Sequence, residues 1–279
     1  MTTTSETAEI RTAWDAIATG YDAHVTPTHF GLGHEAATRA GVGPGTRFLD
    51  VAAGSGALSI PAARLGAHVL ATDLSPGMLE QLAARADAEG LAHLEVREMD
   101  GHALELDDDT FDVAGSQYGV MLFPELPRAV REMARVTRPG GRVLLVVFGA
   151  PAQVEFLGFF LGAIQTVVPG FEGLPSDPPP LPFQVSDPDR LGEALSQAGL
   201  QDVAVTTVTR ETPYESGDAL WDWVVNSNPI GRMLVSGLDD RQAEDVRAVL
   251  DGLLQERAAG GGVAVLRDPN HIGIGTVAG

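Results

Sequence analysis

Asp50 and Asp73 are the residues around which chemistry can be built. The run Thr46-Arg47-Phe48-Leu49-Asp50-Val51 has the character of a buried strand, Ala52-Ala53-Gly54-Ser55-Gly56 makes a turn of small residues, and Ala57 to Leu65 reads as a helix. A second apolar run, His68-Val69-Leu70-Ala71-Thr72, delivers Asp73 at its end. This is a β-α-β unit whose turn lets a ligand approach the backbone closely, with an acid at the tip of the second strand. An acid so placed accepts hydrogen bonds from ribose hydroxyls, so the unit reads as a nucleotide site.

The turn narrows the choice of nucleotide. A dinucleotide fingerprint needs three glycines and seats a pyrophosphate on the helix N-terminus. Here Gly54 and Gly56 are followed by Ser59, and Asp50 stands just before the turn, where it repels phosphate. A cationic, phosphate-free ligand suits that arrangement. The pattern Asp50-x-Ala52-x-Gly54-x-Gly56 resembles the first motif of the class I S-adenosylmethionine-dependent methyltransferases, with Ala52 in place of the first glycine. That replacement is expected to keep a positive φ out of the position.

Other strings carry the same resemblance. Asp73-Leu74-Ser75-Pro76-Gly77-Met78-Leu79 matches the family's second motif, which implies that Asp73 takes the ribose hydroxyls and Leu74 packs on the adenine. Met99-Asp100-Gly101 stands where the family has an acid for the adenine amino group, with Met99 against the ring. Trp14 to Asp22 is similar to the opening of the ubiquinone and menaquinone biosynthesis (UbiE-like) methyltransferases, which implies a cap with Tyr21 at the methionine end of the cofactor. Arg135 to Arg142 resembles the family's Pro-Gly-Gly turn before the fifth strand. The implied cofactor is S-adenosyl-L-methionine, leaving S-adenosyl-L-homocysteine. Its candidate ligands are Tyr21, Asp50, Ala52, Gly54, Gly56, Asp73, Leu74, Met78, Met99, Asp100, Gly101, Ser116 and Gln117.

The elements that must position these residues follow from periodicity and punctuation. The spacing of Ile10, Trp14, Ile17 and Tyr21 predicts a helix from Ile10 to Ala23, followed by a loop from His24 to Gly33 and a short helix to Ala40. Ser75 is a good N-cap with Pro76 at the first helical position. Strands are expected at 91–98, 111–116, 143–148 and 203–208, with a last one at 271–277. The fold class is α/β: a Rossmann-like seven-stranded sheet, mostly parallel with an antiparallel last strand, helices on both faces and helical lid insertions. Residues 1–38 form an N-terminal cap whose first eight residues are frayed, and 39–150 the cofactor-binding core. A lid is expected at 151–186, and 187–279 returns to the core with a helical insertion at about 211–262. The apolar helix Val154 to Val168 reads as part of the lid, with a homodimer contact as the competing explanation.

Composition removes whole classes of chemistry. Among 279 residues there is no lysine, so the 18 cations are all arginine, and neither Schiff-base chemistry nor a P-loop lysine is available. The absence of cysteine removes disulfides and thiolate nucleophiles. A formal charge of −20 argues against nucleic acid and anionic membranes and leaves small molecules as partners. No segment reads as a signal peptide or a bilayer-spanning helix, so a cytoplasmic protein is expected. No metal-ligand spacing stands out. For a general base, His29 and His34 flank the cap, with His24, His271, Tyr118 and Asp22 behind them. The expected function is methyl transfer to a small, largely apolar molecule such as a quinone, a polyketide or another secondary metabolite. The alternatives are a non-methylating S-adenosylmethionine-binding protein and an NAD-dependent oxidoreductase.

Overall fold

The computed structural model describes residues 4–175, 178–259 and 261–279. Its first half contains α1 (Thr4–Asp15), α2 (Ala18–Gly20), a π-helical turn (Tyr21–Val25), α3 (Thr26–Arg39), β1 (Arg47–Val51), α4 (Ser59–Arg64), β2 (His68–Asp73), α5 (Pro76–Ala88), β3 (Leu94–Glu98), β4 (Phe111–Gln117) and α6 (Leu126–Val136). The second half contains β5 (Thr137–Phe148), α7 (Glu155–Val167), α8 (Pro188–Gln197), β6 (Leu200–Tyr214), α9 (Gly217–Ser227), α10 (Pro229–Val235), α11 (Asp240–Arg257) and β7 (Ala264–Val277). The frayed stretch expected over residues 1–8 falls partly outside the described residues.

One seven-stranded sheet runs in the order β3-β2-β1-β4-β5-β7-β6. β1 to β5 pair in parallel, and β7 lies antiparallel between β5 and β6. The chain winds outward from β1 through β2 to β3, then crosses back to place β4 on the other flank of β1. That reversal opens a crevice beyond the carboxyl ends of β1 and β4, where open α/β sheets bind ligands. The central strands are apolar on both faces because helices cover both: Phe48, Leu49, Val143 and Leu144 are fully buried. The edge strand β3 instead exposes Glu95, Arg97 and Glu98, charges that discourage pairing with another chain.

Local chemistry explains the element ends. Ser75 Oγ accepts the Met78 N–H and opens α5, with Pro76 next. Asp239 and Gln242 form a reciprocal capping box at the start of α11. On α6, Leu126, Ala129, Val130, Met133 and Val136 recur at helical spacing and all are buried. The Pro-Gly-Gly turn lies inside β5, where the pairing shifts from Phe111↔Thr137 to Val113↔Arg142 and residues 138–141 bulge outward with Gly140 at φ 75°.

The N-terminal cap departs from expectation. The predicted helix is interrupted after Asp15, and the predicted loop from His24 to Gly33 is helical. Burial decides this: Val25, Thr26, His29 and Leu32 face the core on successive turns, an apolar periodicity that histidine and threonine disguise. The break is taken up by the π-helical turn, a feature that often marks functional sites. The cap is tied down by side chains rather than by apolar area alone. Asp15 Oδ1 accepts hydrogen bonds from Ser75 Oγ and the Gly77 N–H, and Asp22 pairs with Arg85 at 2.7 Å.

The apolar helix α7 turns its rings inward. Phe156, Leu157, Phe160, Ala163 and Ile164 are buried, with Phe156 against Trp223 and Phe160 against Trp221 of α9. These five side chains of α7 therefore pack within the chain, while Phe159, Leu161 and Val167 are only partly buried. Among the described residues no helix is long and apolar enough to cross a membrane.

Candidate active site

A cavity of about 260 Å³ lies beyond the carboxyl ends of the central strands. Its floor is the turn after β1. Gly54, at φ 55°, donates its N–H to Asp73 Oδ2 at 2.8 Å, and Ser75 N–H donates to Asp73 Oδ1 at 2.9 Å. Two backbone groups from different turns thus orient one carboxylate at the tip of β2. Tyr21 from the π-helical turn closes over this floor, its Cε1 3.6 Å from where a Cβ on Gly54 would stand.

Ala52 adopts φ 55°, contrary to the expectation that alanine would keep out of the left-handed region. The strain costs about 1–2 kcal/mol. It is held because Ala53 N–H donates to Thr72 O, tying the turn to β2. Directly above, a Cβ on Gly119 would come within 2.5 Å of the Ala52 Cβ, so the two positions must stay small together. Tyr118 is a second strained residue, at φ 60°, where β4 ends and the chain bends away from the sheet.

The far wall is formed after β3. Asp100 Oδ1 accepts hydrogen bonds from the His102 N–H and from His102 Nδ1, both at 2.9 Å, and the imidazole stacks on Phe123 with 4.5 Å between centroids. The hydrogen bond from His102 holds the Asp100 carboxyl below the usual carboxylate range despite partial burial. Asp73 moves the other way: burial raises its pKa, and the N–H groups of Ser75 and Gly54 oppose that rise. Burial also raises the Tyr21 phenol, aided by nearby Asp73, so its hydroxyl stays protonated.

Ten of the thirteen cofactor candidates line this cavity: Tyr21, Ala52, Gly54, Asp73, Leu74, Met78, Met99, Asp100, Gly101 and Gln117. Three do not. Gly56 sits beneath the turn at φ 101°, where a Cβ would clash with Leu82. Ser116 is buried, and its Oγ accepts the Val120 N–H. Asp50 is 1% exposed and points away from the cavity, accepting the Ser59 hydroxyl from α4. Its role is to hold the turn onto the helix from below, because the β1 pleat directs residue 50 under the sheet tip rather than over it.

Neither candidate base lines the cavity. His34 lies exposed on α3. His29 is 2% exposed, packed against Tyr118 at 4.7 Å and Trp223 at 5.9 Å between centroids, and neither ring nitrogen has a partner. Burial, then the nearby Arg210 cation, push its pKa well down, so the imidazole is neutral. Its carbonyl, not its ring, meets the site, accepting from Gln117 Nε2 at 3.3 Å. Sequence reasoning gave His102 no role and named Tyr118 only as a fallback base; Trp14 lies in the expected cap, Leu181 and Pro182 in the expected lid, and Asn228, Pro229 and Ile230 in the expected helical insertion, without being singled out individually. His102 left a signal, since a histidine two residues after an acid can fold back on it; the outer wall left only the coarse one of a cap, a lid and a helical insertion, with no pattern that picks out its individual residues.

Burial lifts the Asp50 carboxyl to about 7, with the Ser59 hydrogen bonds opposing and Asp73 adding to the rise. Because the folded value lies above the unfolded one of about 3.9, folding takes up a proton between these two pH values. The contribution is full below the unfolded value and is lost as pH rises through about 7. Asp50→Asn is expected to flatten the fall in stability between about pH 4 and about pH 7. Urea unfolding across that range tests this, and an unchanged slope would refute it.

The described lining carries two carboxylates, Asp73 and Asp100, and neither lysine nor arginine. A pyrophosphate would find no cation there, whereas a ligand with ribose hydroxyls, an aromatic base and a positive centre finds acceptors and apolar walls. The methyltransferase domain family matches residues 49–145, the segment from β1 into β5. A demethylmenaquinone methyltransferase of Mycolicibacterium paratuberculosis is 34% identical over 169 residues, covering 58% of this chain and 69% of that protein. The chain belongs to the S-adenosylmethionine-dependent methyltransferase family. The family's cofactor is S-adenosyl-L-methionine, and the cavity of this methyltransferase-family chain fits it by donor set and charge.

An uncharacterized protein of Mycobacterium tuberculosis is 42% identical over 149 residues, which is 53% of this chain and 52% of that protein. The chain thus spans about half the length of that relative. Among solved structures, Haemonchus contortus phosphoethanolamine N-methyltransferase 2 with bound S-adenosyl-L-methionine superposes with a TM-score of 0.54 at 16% identity, covering 90% of this chain and 53% of the other. The [4+2]-cyclase SpnF gives 0.54 at 20% identity, covering 89% and 81%. These two likenesses concern the methyltransferase fold alone.

Proposed function

We propose that the protein transfers a methyl group from S-adenosyl-L-methionine to a small, largely apolar acceptor by in-line displacement. The single observation that carries this reading is the cavity at the strand crossover, lined by Asp73 and Asp100 with neither lysine nor arginine among the described lining residues. When bound, S-adenosyl-L-methionine supplies an electrophilic methyl group on a sulfonium, whose departure leaves a neutral thioether. No departing anion then needs stabilising, so the protein's task is to bind, align and exclude water. Alignment alone contributes roughly 7–11 kcal/mol to such reactions.

In this reading Asp73 accepts the ribose hydroxyls, held in aim by the Gly54 and Ser75 N–H groups. Leu74, Met99 and the stacked pair His102–Phe123 form the slot for the adenine, with Asp100 beside it. Tyr21 and Gln117 take the methionine end. Trp14 from α1 and the stretches 181–182 and 228–230 shut the open side against water. The demethylmenaquinone methyltransferase relative supports a small-molecule acceptor with an apolar body, and the cysteine-free, acidic composition fits action in the cytoplasm.

A second reading has one observation in its favour. The acceptor end of the cavity, Leu181, Pro182, Asn228, Pro229 and Ile230, carries no titratable side chain, and His29 is sealed behind Tyr118. A protein that keeps the cofactor without using its methyl group needs no base there. Incubation with methyl-labelled cofactor and a metabolite extract, followed by mass spectrometry, separates the two. A product heavier by one methylene supports methyl transfer; tight cofactor binding with no labelled product across the extract supports the second reading.

A further inference from the structure

Beside the main cavity lies a smaller one of about 40 Å³, and Pro182, Asn228 and Ile230 line both. Three rings wall it: Phe148 stands 6.0 Å from Phe156 and 6.3 Å from Phe183, centroid to centroid. Leu157, Leu174 and Val224 fill the gaps between them. Among the described residues no titratable side chain lines this compartment, and the polar side chains that do, Ser227 and Asn228, stand together, with Asn228 on the edge shared with the main cavity. Asn228 Oδ1 is committed to the Gly231 N–H as the cap of α10, whereas Nδ2 has only a long contact of 3.4 Å to Ser227 Oγ. A donor is therefore available at the junction of the two spaces.

The size is informative. A space of this volume holds about three waters, roughly the room of one six-membered ring. Its chemistry is equally restrictive. A charged acceptor would lose its hydration there with no ion to replace it. Ring walls favour the offset and edge contacts of another aromatic group. We propose that this compartment seats one neutral aromatic ring of the acceptor, with an oxygen substituent on that ring reaching Asn228 Nδ2 at the junction with the cofactor space. The inference rests on the reading of the main cavity as the cofactor's. It makes Phe156, Leu174 and Val224 the residues that set which acceptors enter.

The test uses the full chain saturated with S-adenosyl-L-homocysteine, and 4-methylphenol as the probe. Binding is followed by calorimetry and by tryptophan fluorescence, since Trp223 lies 4.6 Å from Phe156, centroid to centroid. Val224→Phe fills the compartment from the helix side. Leu174→Phe fills it from a half-buried loop position and guards against a folding defect in the first variant. Saturable binding of 4-methylphenol is expected, weakened at least tenfold by either folded variant, while affinity for S-adenosyl-L-homocysteine stays within twofold. The anion 4-methylbenzoate, similar in shape, is expected to bind at least tenfold more weakly than 4-methylphenol. The inference is overturned if the complex shows no saturable binding of 4-methylphenol, if neither filling matters, or if the benzoate binds as well. Failure of S-adenosyl-L-homocysteine itself to bind would instead sink the cofactor reading, and this inference with it.

Discussion

Arg210→Met is expected to destabilise the protein by about 3–5 kcal/mol, the cost of stranding a buried charge. Arg210 and Asp268 face each other across β6 and β7 at 3.0 Å, with side chains 6% and 0% exposed. Arg210 also donates to Thr28 Oγ1 and lies over the Trp223 ring at 5.2 Å. Burial raises the Asp268 pKa, and Arg210 is the main force opposing that rise. Without the cation, Asp268 must either stay charged in an apolar interior or take up a proton, and both are costly. Replacing both partners at once, Arg210→Met with Asp268→Leu, is expected to recover much of the loss, because the desolvation cost disappears with the pair. Urea unfolding of the two variants decides the matter. A double variant no more stable than the single one would show that the pair is not what the core depends on. The damage should also reach the cavity, since Asp268 O accepts from Asn270 Nδ2 while Asn270 Oδ1 accepts the Tyr118 hydroxyl at 2.6 Å.

Asp73→Ala is expected to weaken S-adenosyl-L-homocysteine binding by about 1.5–3 kcal/mol, the worth of hydrogen bonds to a charged group, or roughly 10- to 150-fold. The lower figure would hold if only ligand contacts were lost. The structure argues for the upper one, because the same carboxylate anchors the Gly54 and Ser75 N–H groups and so shapes the turn. Asp73→Asn keeps one acceptor oxygen and is expected to fall between the parent and alanine. Calorimetric titration measures both. Affinity unchanged in the alanine variant would remove Asp73 from the site.

The cofactor floor was legible because its determinants are local. Strand, small-residue turn and acid succeed one another within a few dozen residues, and a strand that ends at the sheet's carboxyl edge can deliver its next side chain only to the crevice. Asp73, Leu74, Met99 and Asp100 all stand at such ends. The candidates that lie away from the cavity do so for one reason, direction. Asp50, Gly56 and Ser116 belong to the right turns but point beneath them, and a one-residue difference in facing is invisible without the sheet. His29 was singled out by type and by its place after the cap, yet α3 presents it to Trp223, nearly two hundred residues away in the chain.

What the amino-acid sequence determined by itself is the class of sheet, the crossover unit and the acid that serves it, since short-range periodicity, caps and small-residue turns leave few ways to arrange residues 46–148. The sequence named the cap and the lid only as segments, and the tertiary structure alone decided how they meet the floor: the π-helical turn that lowers Tyr21 onto Gly54, the left-handed backbone at Ala52 and Tyr118, and which residues of α1, 181–182 and 228–230 form the outer wall. Those features depend on which distant segments dock together. Docking is governed by the summed burial of many side chains and by a few buried polar pairs such as Arg210 with Asp268, so no local pattern records it.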